Sequence, residues 1–301
     1  MYNAAVKTDG RYTLKIVCDP DPPHPRDNED TLLGKMFCRH SRYVLGDDHD
    51  YKDPDTFLAS LVRKTIPDKD IISCVKDGKT DAMTLKYDKS IREWVLKAYD
   101  SFFDRWYEVE TYLKPLDFND AYLPEDILDN MPTGELLKFA KRSHLILPLY
   151  LLDHSGISVS TSDFNDQWDS GQIGWIYASF NDIAYEYGDA SPDSILKARE
   201  ALIAEVKTYS SYLRGECYGF QLFKDGVEQD SCWGFLGSFE DAKSAIRGYI
   251  PEEAAELVDS AEYGDDEPEY DPDENDYEQG DDTFDGDVGD ETEEHDDELE
   301  M

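Results

Sequence analysis

The last forty residues, 262–301, hold 22 Asp and Glu and no Lys or Arg, and they confine any fold to the chain before them. A segment this charged has too little apolar surface to offset the entropy lost on ordering it, so taken alone it is expected to be disordered. Tyr263, Tyr270, Tyr277 and Phe284 recur in it at an interval of seven, among Pro and Gly that interrupt a helix. An anionic strand carrying rings at regular spacing can compete with nucleic acid for a basic surface, which makes these four candidate contact residues.

The other 261 residues hold 47 acids against 29 bases, a net of −18 out of −40 for the whole chain. Phosphate recognition needs clustered Lys and Arg, so this balance speaks against direct nucleic-acid binding and against adhesion to anionic membranes, while leaving room for a local basic patch. The longest apolar run, 145–152, is eight residues long and contains Pro148. A bilayer span needs about 20, so no membrane is expected. Lys7 and Arg11 flank no apolar stretch, and Cys18, Cys38, Cys74, Cys217 and Cys232 are scattered, odd in number and unaccompanied by any Asn-x-Ser/Thr acceptor. Reduced thiols in a cytoplasm are the natural reading.

Local patterns predict the elements. Residues 11–18 read as a strand closed by a Pro-rich exposed connection, and 56–66 as a short helix. Over 90–113 the residues Ile91, Trp94, Val95, Ala98, Phe102, Trp106, Val109 and Leu113 follow a 3.6-residue period, which predicts a long amphipathic helix. A further helix is predicted over 133–143, with Leu136 where a capping box needs Glu. Three strands follow in the stretch 145–180, read as a meander. The second long helix is expected over 194–213, ended by Gly215; a hairpin turns at Asp225-Gly226, and a last helix runs over 239–247. Clustered strands and helices predict an α+β fold: a mainly antiparallel sheet covered by two long helices, with a disordered acidic C-terminal tail. The expected division is an α+β domain over 1–250, with 54–143 as a candidate helical insertion, and the tail over 251–301.

Several motifs are incomplete. Asp77-Gly78-Lys79-Thr80 has the end of a phosphate-binding loop, but Ser73 stands where its first Gly belongs, and a turn is the better reading. Asp271, Asp273 and Asn275 begin a calcium-loop pattern that Asp276 and Asp282 break. Cys38 and His40, with Cys18 and His24, match no zinc spacing, so neither metal nor cofactor is expected. The densest polar chemistry is in three stretches: Asp153-His154-Ser155, Trp168-Asp169-Ser170 and Asp230-Ser231-Cys232-Trp233. Converging, they would supply acid–base groups, or Cys232 as nucleophile with His154 as its base. The competing explanation is structural, because Asp and Ser bond turn amides and Trp packs on Gly.

At these residues the chain resembles an uncharacterised family of bacteriophage and mobile-element proteins. The likeness lies in Leu33-Gly34, in 36–47 (MFCRHSRYVLGD), and in LPLYLLDHSGISVST, WDSGQIGWIY, EVKTYSSYLRGECYGF and DSCWGF, spanning 33–235 around a divergent middle. Where relatives carry Cys-Pro-Trp this chain has Asp166-Gln167-Trp168, so a thiol role there is absent, and the tail is an addition of this member. The resemblance implies a small accessory protein in the cytoplasm of a bacterial host cell. With the acidity, it leads to the expectation of a protein that binds a host protein with a basic surface, a nucleic-acid-handling or anti-phage defence factor, by mimicking nucleic acid. The alternative is an enzyme or small-ligand-binding protein built on the three polar stretches.

Overall fold

A computed structural model describes residues 3–27, 32–116 and 122–264. Its architecture is α+β, and every strand pair among the described residues is antiparallel. The central sheet has the order β3 (Lys35–Cys38), β9 (Ser170–Ser179), β7 (His144–Asp153), β8 (Ile157–Ser160). Its strand β7 reads as a continuous apolar run because both faces are covered. One face packs Ile176, Leu147, Leu149 and Val159 against Leu202, Val206 and Tyr209 of α6 (Pro192–Leu213). The other joins Phe37, Ile146 and Trp175 to the core of α1 (Pro54–Thr65) and α4 (Thr133–Ala140), where Phe37 and Phe57 stack with centroids 4.2 Å apart. Pro148 sits in β7 beyond the residues that pair with β8, so its missing amide costs that ladder nothing. The expected meander is not formed, because β9 pairs with β7 and leaves β8 at the edge.

A second sheet, β1 (Asn3–Thr8), β2 (Tyr12–Cys18), β10 (Cys217–Lys224) and β11 (Val227–Leu236), packs Leu14, Ile16, Phe220 and Leu222 against α7 (Phe239–Ile246) and α8 (Ala255–Asp259). Ser238 caps α7 with a complete capping box. The chain past residue 250 belongs to this layer: Leu257, Val258 and Ala261 are buried, and the Gly264 amide donates to the Ala4 carbonyl at 2.8 Å. The tail boundary expected at 251 therefore moves to Gly264 or beyond, since 251–261 supplies apolar residues at helical spacing. Residues 265–301, with Tyr270, Tyr277, Phe284 and the calcium-like Asp271, Asp273 and Asn275, lie outside the described residues. Tyr263 is described, its ring set edge-on to Phe239.

The largest departure from the sequence reading is at 90–113, where a hairpin replaces the predicted helix. β4 (Met83–Asp88), β5 (Glu93–Asp100) and β6 (Arg105–Tyr112) form a three-stranded sheet. Its inner face packs Met83, Leu85, Leu96 and Ala98 on α2 (Asp68–Lys76) and α3 (Tyr122–Asp129). The helical spacing was carried partly by Phe102 and Trp106, which are exposed, while the buried pair Leu96 and Ala98 alternates around exposed Lys97. Trp, Tyr, Phe, Val and Thr favour a pleated strand, and the Asp100 carboxylate accepts from the Phe102 and Phe103 amides to fix the turn. The segment 54–143 is accordingly mixed rather than helical, and only α6 matches the expected pair of long helices. The phosphate-loop-like Gly78 ends α2 with positive φ.

One buried ion network ties the N-terminal loops to α6. The Arg26 guanidinium donates to both Asp47 oxygens at 2.7 and 2.9 Å, to Glu205 Oε2 at 3.1 Å and to the Gly34 carbonyl at 2.8 Å. The Met36 amide reaches Asp47, and those of Leu33 and Gly34 reach Glu205. Nearly every lone pair of the two carboxylates is answered, the condition under which a buried charge cluster is tolerated.

Candidate functional site

Because β7 and β9 are antiparallel, the loop after Asp153 and the turn before Ser170 share one end of the central sheet. The Asp153 amide donates to the Asp169 carbonyl at 2.8 Å, and His154 Nδ1 lies 2.9 Å from Asp169 Oδ2. That hydrogen bond, followed by the carboxylate's charge, raises the His154 pKa above its ordinary value. Asp153 Oδ2 accepts from Tyr43 Oη at 3.0 Å and pairs with Arg42 at 2.9 Å. The Tyr43 ring stacks on the His40 ring, and the Arg42 guanidinium lies 5.6 Å from its centroid. A cleft of about 310 Å³ opens here between Arg39, His40, Arg42, Trp168 and Asp169.

Trp168 projects from this rim, 92% exposed. Its turn is held by Asp166, whose carboxylate accepts from the Trp168 and Asp169 amides and whose carbonyl accepts from Ser170 Oγ at 2.6 Å. Ser155 takes a left-handed backbone ahead of Gly156, making the reversal after β7. The Ser170 hydroxyl is thus spent on its own turn. Among the described residues no hydroxyl or thiol is hydrogen-bonded to His154.

The third stretch stands apart. Asp230, Ser231, Cys232 and Trp233 lie on β11 of the second sheet, paired with β10. The Asp230 carboxylate accepts from the Ser231 amide, and Cys232 Sγ approaches the Trp233 carbonyl at 3.8 Å. The Trp233 indole covers Gly219 so closely that a Cβ there would come within 2.3 Å of it. The three-way polar site and the Cys232–His154 pairing are therefore not formed, and Trp-on-Gly packing accounts for the last segment. Burial pushes the Cys38 thiol up to about 12 and Cys217 to about 11, so both stay protonated at neutral pH. Among the described residues no group of three or more His, Cys, Asp and Glu is arranged to hold a metal.

Sequence reasoning missed the hairpin between β5 and β6, where Phe102 is 87% and Phe103 61% exposed. The two rings pack edge-to-face at 4.9 Å, and Arg105 lies over Phe103 at 5.0 Å. Five of the eight residues of β6, the edge strand, are exposed, Trp106 and Tyr107 among them. Tyr107 reaches Asn130, just past α3, and Tyr112 reaches Asp126, which fastens β6 to that helix along its length. The Phe-Phe pair between Asp100 and Asp104 was the available signal. Read as helix, it became part of an apolar stripe.

Compared with protein-family models, curated proteins and solved structures, the chain matches none. Among the described residues no helix is long and apolar enough to cross a membrane.

Proposed function

We propose that the chain is an accessory protein of a phage or mobile element that binds a host protein, a nucleic-acid-handling or defence factor with a basic surface. The observation that carries this reading is the Phe102–Phe103 tip: two large rings held in solvent on a hydrogen-bonded turn at the end of an edge strand. Such rings lose little entropy when a partner covers them, which is how aromatic anchors supply most of an interface's energy. The net charge of −40 supplies long-range attraction to a basic partner and repels nucleic acid that would occupy the same surface. The resemblance to phage proteins supports a bacterial cytoplasmic setting.

The test is capture from bacterial lysate with the full chain, with Phe102→Ser/Phe103→Ser, and with a chain ending at Gly264. A partner captured by the full chain should be lost by the double variant, and less of it should be captured when salt is raised during binding. Equal retention by the double variant removes the arm from the mechanism. Equal retention by the shortened chain removes the tail.

A second reading, ligand binding in the cleft beside His154, is favoured by the meeting of the two polar stretches there. It predicts that His154→Ala and Arg42→Ala abolish ligand-induced thermal stabilisation in a metabolite screen while leaving partner capture intact. A screen without a stabilising ligand, or one whose stabilisation survives both variants, counts against it.

A further inference from the structure

The outer face of the three-stranded sheet gathers three lysines and an exposed indole. Strand alternation turns Met83 and Leu85 inward and Thr84 and Lys86 outward, and the register sets Lys97 opposite Thr84 and Val95 opposite Lys86. The turn after β4 adds Lys89, and β6 adds Trp106. Together they bound an open groove of about 790 Å³, floored by Val95. Asp88, the acid lining the groove, accepts from the amide and hydroxyl of Ser90 through Oδ1 and stays anionic, so the ligand's phosphate must sit on the lysine side of it. Of the three lysines, Lys97 also acts on Asp88, whose pKa is lowered by the Ser90 hydrogen bonds and then by its charge, and stands opposite Glu108 in the register.

We propose that this groove binds a compact anion bearing a flat ring, of the nucleoside-phosphate class. Three ammonium groups suit a phosphate, since lysine acts on it as a freely directed point charge. The Trp106 ring, backed by Tyr99 at 5.4 Å, offers a face for stacking a base. The boundary of the patch limits the ligand's length. Glu93 lies opposite Asp88 and Glu108 opposite Lys97, so a polynucleotide crossing this face would leave the lysines for carboxylates. A mononucleotide keeps its few charges among the three lysines, and free phosphate would leave the indole unused.

The experiment is calorimetric and fluorescence titration of the full chain with ATP, adenosine, inorganic phosphate and a ten-residue oligothymidylate at low salt. ATP should saturate and quench tryptophan emission, and adenosine and phosphate should bind at least about tenfold more weakly. Lys86→Gln/Lys97→Gln should weaken ATP binding about tenfold or more with unchanged circular dichroism and thermal unfolding. Trp106→Phe should remove the quenching, and Trp168→Phe should keep it. Absence of saturation by ATP at millimolar concentration overturns the proposal, as does equal binding by the double lysine variant. Tighter binding of the oligonucleotide than of ATP overturns the mononucleotide assignment.

Discussion

Two histidines respond to acid in opposite senses. His154 is exposed and held by Asp169, so its folded pKa lies above the unfolded value; the stability it contributes is complete below the ordinary imidazole range near 6.5 and fades as pH rises through the raised value. His144, the first residue of β7, is buried, and burial lowers its pKa. Its contribution is present above the ordinary range and is lost as pH falls through the depressed value. NMR titration should find His154 above and His144 below 6.5 or thereabouts, and Asp169→Asn should return His154 alone toward it. A His154 titration unmoved by Asp169→Asn would contradict the pairing. At the same scale, Arg26→Gln strands two carboxylates that are 13% exposed each, and should cost about 3–5 kcal/mol by chemical denaturation. A cost under about 1 kcal/mol would show that Asp47 and Glu205 are satisfied without it. This network was illegible in the sequence, because Arg26 stands in a Pro-rich stretch that reads as an exposed connection and Glu205 is 179 positions away. The meeting of Asp153 and His154 with Asp169 follows from β9 pairing with β7, whereas the expected meander would have put those two stretches at opposite ends of the sheet; the separation of Cys232 was equally illegible, because only pairing partners assign β11 to another sheet.

Among elements, those whose burial pattern has one period were readable. The helix α6 carries its buried positions Ala198, Leu202, Val206 and Tyr209 three or four apart, and the Asp225-Gly226 turn joins β10 to β11 as its residues require. The hairpin of β5 and β6 was misread because its outward residues are as aromatic as its inward ones, so a helical period could be drawn through both faces. Short elements such as β3 and α3 carried too few residues to show any period. The contact of β3 with β9 gives a sharp check. A Cβ on Gly174 would meet the Phe37 carbonyl oxygen at 1.8 Å, backbone against backbone. Gly174→Ala should therefore cost about 3 kcal/mol or more, with loss of the protected amides shared by these strands in hydrogen exchange. Phe102→Ser/Phe103→Ser touches only exposed rings, so its unfolding free energy should stay within about 0.5 kcal/mol of the parent. A larger loss would mean that the tip belongs to the core.

At the scale of the whole molecule, the proposed partner binding assigns separate tasks to acidity and to exposed rings. Charge acts at a distance and is screened over about 10 Å at 0.1 M salt, so it governs encounter more than retention. The rings of the arm act on contact and should govern how long a complex lasts. Raising salt is thus expected to slow association while leaving dissociation nearly unchanged, whereas Phe102→Ser/Phe103→Ser should do the reverse; surface plasmon resonance on the captured partner separates the two. The most direct measurement is photo-cross-linking in bacterial lysate, with a benzophenone side chain placed either at position 102 on the arm or at position 185 on α5 (Phe180–Tyr187), where Tyr185 is 92% exposed. A discrete protein adduct from position 102 that is missing from position 185 is the result predicted for an arm that docks on a partner. No adduct from 102, or the same adducts from both positions, would contradict it.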